Sequence, residues 1–162
     1  MATVYVDSNA GGAADGTSWT DAFLTLAAAL SDAGTTAGSR VWVAENHAET
    51  QASIMTLTSK GTAASPIEIL CGDSAAEPPT ALATTGTITT TGSPNYINFD
   101  GGFNYIYGLT FTSGGDVRFH HTTNPWAHKF EDCVLSTATT FFLYTGGVFP
   151  DASLLHLKQT RS

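Results

Sequence analysis

Tyr96-Ile97-Asn98-Phe99-Asp100 opens the stretch of sequence that decides the fold. It is followed by Ile106-Tyr107-Gly108-Leu109-Thr110-Phe111-Thr112, then Val117-Arg118-Phe119-His120-His121, then Lys129-Phe130-Glu131-Asp132-Cys133-Val134-Leu135. In each run apolar and polar residues alternate, the two-residue period of a strand with one buried face. Gly, Pro, Asn and Ser separate the runs. Most are not joined by the two-residue turns of hairpins, although Ser113-Gly114-Gly115 resembles one and keeps a sandwich of hairpins open.

Working outward, similar runs predict strands at Thr3–Val6, Val41–Ala44, Ile54–Leu57, Ile67–Cys71, Gly86–Thr91, Phe141–Tyr144 and Ser153–Leu157. Two series set the arrangement. Ile69, Ile88, Leu109, Cys133 and Leu155 recur at intervals of 19 to 24 residues. Ile97, Val117 and Phe141 recur with a similar step. A repeat of that length, with two or three strands in each, predicts a solenoid whose coils share one core. The fold expected is all-β, a right-handed parallel β-helix over residues 1–162. Residues 1–40 supply a first strand and a capping helix, and 41–162 the stacked coils.

The helix signal is confined to the N-terminal part. Ser18 is placed to cap a helix, with Asp21 completing a capping box. Phe23, Leu26 and Leu30 fall on one helical face. Ala27, Ala28 and Ala29 favour helix, and Gly34 supplies a stop. One apolar stripe must cover another apolar surface, and the open end of the first coil is that surface.

Composition limits the functional classes. Of 162 residues, 12% are charged and the formal net charge is −8, which disfavours nucleic acid and anionic membranes as partners. The six basic residues are scattered. No run approaches the roughly 20 apolar residues of a membrane span. Met1 to Asn9 shows neither a basic nor an apolar leader region, so no signal peptide is expected. Cys71 and Cys133 lie in apolar runs without metal spacing and read as buried thiols; a disulfide between them stays open.

Thr3-Val4-Tyr5-Val6-Asp7, Gly16-Thr17-Ser18-Trp19, Ala22-Phe23, Leu26-Ala27-Ala28-Ala29-Leu30 and Val41-Trp42-Val43-Ala44 together resemble the opening of pectate-lyase-like β-helix proteins, many of them from phages and prophages. Ile97 to Gly101, Tyr105 to Phe111 and Phe130 to Leu135 resemble inner coils of the same class. The resemblance implies a fold that hosts lyases, hydrolases and inert shafts alike. Members are usually longer, and this chain shows no C-terminal capping helix. An exposed last coil near Leu154 to Leu157 is expected to be covered by another subunit.

A lyase of this class uses carboxylates to hold calcium and an Arg or Lys as base. The resemblance then offers Asp100 and Asp116 as ligands and Arg118 as base, with His120 beside them. Alternation turns Val117 and Phe119 inward and Asp116, Arg118 and His120 outward. Calcium takes six to eight oxygens, and two carboxylates are few. Glu131 and Asp132 point to opposite faces and cannot act as a hydrolase pair. Glu45, His47 and Glu49 fall on one side if extended, as a polar turn or a metal site. Trp42, Trp126, Tyr96, Tyr105 and Tyr107 either stack on sugars or fill the core or an interface. Thr84, Thr85, Thr87 and Thr89 to Thr91 form a hydroxyl-lined outer face. No catalytic set and no resident cofactor are expected.

The leading expectation is a non-enzymatic structural protein of a phage virion, as capsid decoration or as part of a tail fibre or spike. It would be made in the host cytoplasm, bound to other virion proteins, and assembled as a homo-oligomer, a trimer above others. The alternative is a tailspike that binds or degrades bacterial surface polysaccharide, with calcium as its cofactor. A bacterial adhesin passenger ranks third.

Overall fold

The computed structural model describes residues 1–121, 126–145 and 154–158; at 120–121, 141–145 and 154–158 it describes the backbone course alone. Fourteen strands and one short helix lie among the described residues. They are β1 (Thr3–Val6), α1 (Leu26–Ser31), β2 (Arg40–Ala44), β3 (Ala48–Gln51), β4 (Met55–Thr58), β5 (Ile67–Gly72), β6 (Thr87–Thr90) and β7 (Ile97–Asp100). After these come β8 (Phe103–Tyr107), β9 (Thr110–Ser113), β10 (Val117–His121), β11 (Ala127–Glu131), β12 (Val134–Thr137), β13 (Phe141–Thr145) and β14 (Leu154–Lys158).

The chain visits three sheets in fixed rotation. Sheet 1 has the order β1-β2-β5-β8-β11-β14, sheet 2 β3-β6-β9-β12 and sheet 3 β4-β7-β10-β13. Every strand pair among the described residues is parallel. Ser113-Gly114-Gly115 is therefore no hairpin; it turns the chain from sheet 2 into sheet 3. Parallel strands need long connections, and here the strands of the other two sheets supply them.

Register places like residues in columns. Val41, Ile69, Ile106, Phe130 and Leu157 align in sheet 1. Met55, Ile97, Val117 and Phe141 align in sheet 3, so the second series seen in the sequence is a true column. The first series is not. Ile69 pairs with Ile106, whereas Ile88 lies in sheet 2. A connection at residues 73–86 lengthens that turn of the chain and shifts the period.

One core cluster draws on all three sheets, with Val43, Ile69 and Phe130 from sheet 1, Ile88 and Phe111 from sheet 2, and Phe99 and Phe119 from sheet 3. Phe99 stacks on Phe119 at 5.2 Å and meets Phe111 and Phe130 edge-on at 5.2 and 5.3 Å. The runs at 106–112 and 129–135 each divide into two strands at a left-handed corner. Gly108 takes φ +75, and an added Cβ would lie 2.1 Å from the Ala83 carbonyl. Asp132 occupies the matching corner at φ 51.

The helix differs from its sequence reading. It begins at Thr25, whose hydroxyl accepts from the Ala28 N–H, and its C-cap is Asp32 rather than Gly34. Ser18 and Asp21 close a turn instead, the hydroxyl accepting from the Asp21 N–H at 3.0 Å. Phe23 is extended: its N–H donates to the Tyr5 carbonyl and its carbonyl accepts from the Asp7 N–H. The free edge of β1 needs partners, and that demand outweighs the helical pattern. Leu26, Ala29 and Leu30 are buried, and Phe23 packs partly buried against the same core.

Candidate functional site

The outer face of sheet 3 carries the residues that the resemblance singled out. Arg118 is level with Asn98, and His120 with Asp100. Asp116 precedes β10 and lies level with Tyr96, its carbonyl accepting from the Ile97 N–H. Asp100 and Asp116 thus stand four strand positions apart, roughly 13 Å. A calcium ion needs ligands at about 2.3–2.6 Å, so the two carboxylates do not share one cation. The His120 side chain lies outside the described residues.

Arg118 and Asp116 engage each other. The guanidinium donates to Asp116 Oδ2 from Nε at 3.2 Å and Nη2 at 2.8 Å. It also lies over the Tyr96 ring, 3.6 Å from the centroid. The Thr139 hydroxyl and Arg118 hold the Asp116 carboxyl below its ordinary range. The guanidinium is thus held between a carboxylate and an aromatic face. Among the described residues no three His, Cys, Asp or Glu side chains group to hold a metal ion.

The outer face of sheet 1 is different. Tyr5, Trp42, Leu70 and Tyr107 align in register, and Tyr5, Ala22, Trp42 and Leu70 form a second apolar cluster outside the sheet. Two connections cover it. Trp19 packs edge-on against Tyr5 at 4.8 Å and donates from Nε1 to the Ala76 carbonyl at 2.9 Å. Glu45 accepts from the Ser74 N–H at 2.6 Å and from its hydroxyl at 3.1 Å, which pins the second connection. Beyond this cover Tyr105 donates to Glu131 at 3.2 Å, and Lys129 lies over its ring. Burial first, then the Glu131 carboxylate, push the Tyr105 phenol up to about 12.

Glu45, His47 and Glu49 do not converge. Glu45 holds the 73–82 connection, whereas His47 and Glu49 are buried where the N-terminal segment meets β3. His47 Nδ1 accepts from the Ser8 N–H at 2.9 Å, and Nε2 faces Glu49 Oε2 at 3.2 Å. Glu49 Oε2 also accepts from the Leu26 N–H at 2.8 Å, at the start of α1. At the other end Lys60 donates to the carbonyls of Ser31 and Asp32. Both charges complement the dipole of the helix. β3 carries no clear alternation signal because Glu49 lies on its core side.

A second polar group sits inside. The Ser59 hydroxyl donates to Asn104 Oδ1 at 2.6 Å, and Asn104 Nδ2 meets His128 Nδ1 at 3.0 Å. Asn104 and His128 share the inward column of Ile67. Trp126 is buried beside His128, with ring centroids 5.3 Å apart, so it belongs to the interior and not to a sugar-stacking face. Cys71 and Cys133 are buried free thiols. Burial pushes both up, Cys133 to about 11.

No family model, curated protein or solved structure matches this chain.

Proposed function

We propose that the chain is a right-handed parallel β-helix that serves as a non-enzymatic structural module of a phage virion, in a capsid decoration or a tail fibre or spike. One observation carries this reading: fourteen strands rotate through three parallel sheets in register around a single apolar core. Such a stack is a stiff rod whose length is set by repetition. The resemblance of its opening and inner segments to phage β-helix proteins supports the setting. The engagement of Arg118 by Asp116 and Tyr96 favours architecture over lyase chemistry. Assembly is read as homotrimeric, in contact with other virion proteins.

The test has two arms. Sedimentation equilibrium of the purified chain is expected to give a trimer; a monodisperse monomer counts against assembly. Incubation with acidic polysaccharides is expected to release no unsaturated uronate ends. Release that disappears in Arg118→Ala overturns the structural reading.

A second reading, binding of bacterial surface polysaccharide, is favoured by one observation. Tyr105 and Tyr107 stand half-buried on the outer face of sheet 1 beside Lys129 and Glu131. Affinity electrophoresis through polysaccharide gels tests it: retardation abolished by Tyr107→Ala supports binding, and unchanged mobility rejects it.

A further inference from the structure

We propose that His47 is a proton-operated clip, holding the Ser8–Asn9 loop against β3 at neutral pH and releasing it on acidification while α1 stays docked. The ring is buried, with 1% of its surface exposed. Its Nδ1 accepts from the Ser8 N–H at 2.9 Å. The one proton of the neutral ring therefore sits on Nε2, facing Glu49 Oε2 at 3.2 Å.

Protonation places an N–H on both ring nitrogens. Nδ1–H then faces the Ser8 N–H, donor against donor, and Ser8 must leave. The opposite side of the ring gains, because its cation now meets the Glu49 carboxylate. Glu49 Oε2 keeps the Leu26 N–H, so the start of α1 is held through the change. Two further bonds belong to the clip. Ser8 Oγ accepts from the Ala48 N–H at 2.9 Å, and Asn9 Nδ2 donates to the Asn46 carbonyl at 3.2 Å. The released form binds one more proton than the clipped form, so falling pH drives release.

Few other charges bear on the ring. On the loop, Asp7 is occupied by the N–H and Nδ2 of Asn9. Glu45 turns to Ser74. The first turn of α1 holds no acid, and β6, paired with β3, offers only Thr87, Ile88, Thr89 and Thr90. Ala10, next along the loop, packs on the Tyr5–Trp42 cluster, so release loosens the cover of that cluster.

The test follows amide hydrogen exchange in the full chain from neutral to mildly acidic pH, corrected for intrinsic exchange, alongside the ring ¹⁵N shifts of His47. The expected result is an Nε2–H tautomer at neutral pH. As the ring protonates, Ser8 and Ala48 should lose protection while Leu26, β5 and β8 keep theirs. In His47→Gln the protection of Ser8 should no longer depend on pH. Ser8 staying protected after the ring has protonated overturns the proposal. So does an Nδ1–H tautomer, or loss that spreads at once to β5 and β8. Should His47→Gln fail to fold, the wild-type ring shifts and exchange decide alone.

Discussion

Strand β2 serves two apolar clusters that are closed in different ways. Val41 and Val43 enter the cluster that all three sheets share; Trp42 points out into a cluster that the connections at 8–22 and 73–82 cover. The interior is made by repetition, each layer covering the last. The outer cluster is made once, by loops pinned through Trp19, Glu45 and Asp73. Repetition spreads the loss of one side chain over neighbouring layers that all depend on it, whereas a loop cover can open by itself.

The largest effect is expected at Phe99, whose ring meets three other phenylalanines. Phe99→Ala should cost roughly 4–5 kcal/mol, read as one cooperative shift of the urea midpoint. Trp42→Ala should cost less, roughly 3 kcal/mol, and should open residues 8–22 and 73–82 to protease before the rest unfolds. An equal penalty with no early cleavage would merge the two clusters into one cooperative unit. Gly108→Ala strikes the corner where the interior meets the Ala83 carbonyl of the covering loop, with φ +75. A loss of roughly 2 kcal/mol in chemical denaturation is expected there. Glu45→Ala should cost about 1 kcal/mol and deprotect the Ser74 amide in hydrogen exchange, leaving β7 and β10 unchanged.

The gentlest test is alkaline. Folding raises the Cys133 thiol from its ordinary value of 9.0 to about 11, so the folded chain holds that proton more tightly. Its contribution is complete below pH 9 and falls away as pH rises through about 11. Cys133→Ala should flatten that decline, on top of a pH-independent loss from the emptied core position. A denaturation series in pH checks it.

The interior was legible because strand alternation reports directly on a face buried by neighbouring strands. Ile97, Val117 and Phe141 form the column that their spacing implied. The outer cluster was not legible, because Tyr5, Trp42 and Leu70 stand on the face that alternation assigns to solvent. Their burial depends on loops, which carry no periodic signal. The 73–86 connection also broke the count that joined Ile69 to Ile88. Of the candidate site, alternation turns Asp116 and Arg118 to one side of their strand, and the two side chains meet there. The register of Ile97 with Val117 sets Asp100 level with His120, so its distance from Asp116 shows only once the two strands are paired.

The grip on α1 also bears on the order in which the chain folds. A helix of six residues is too short to persist alone in water. Its two ends are held by Glu49 and Lys60, which a ribosome delivers 23 and 28 residues after the partners they hold. The helix therefore sets only after the residues that hold its two ends have followed it out. Until β3 and the turn after β4 are in place, Leu26, Ala29 and Leu30 have no surface to seal. Nascent chains arrested before residue 60 should leave that apolar face open to chaperones.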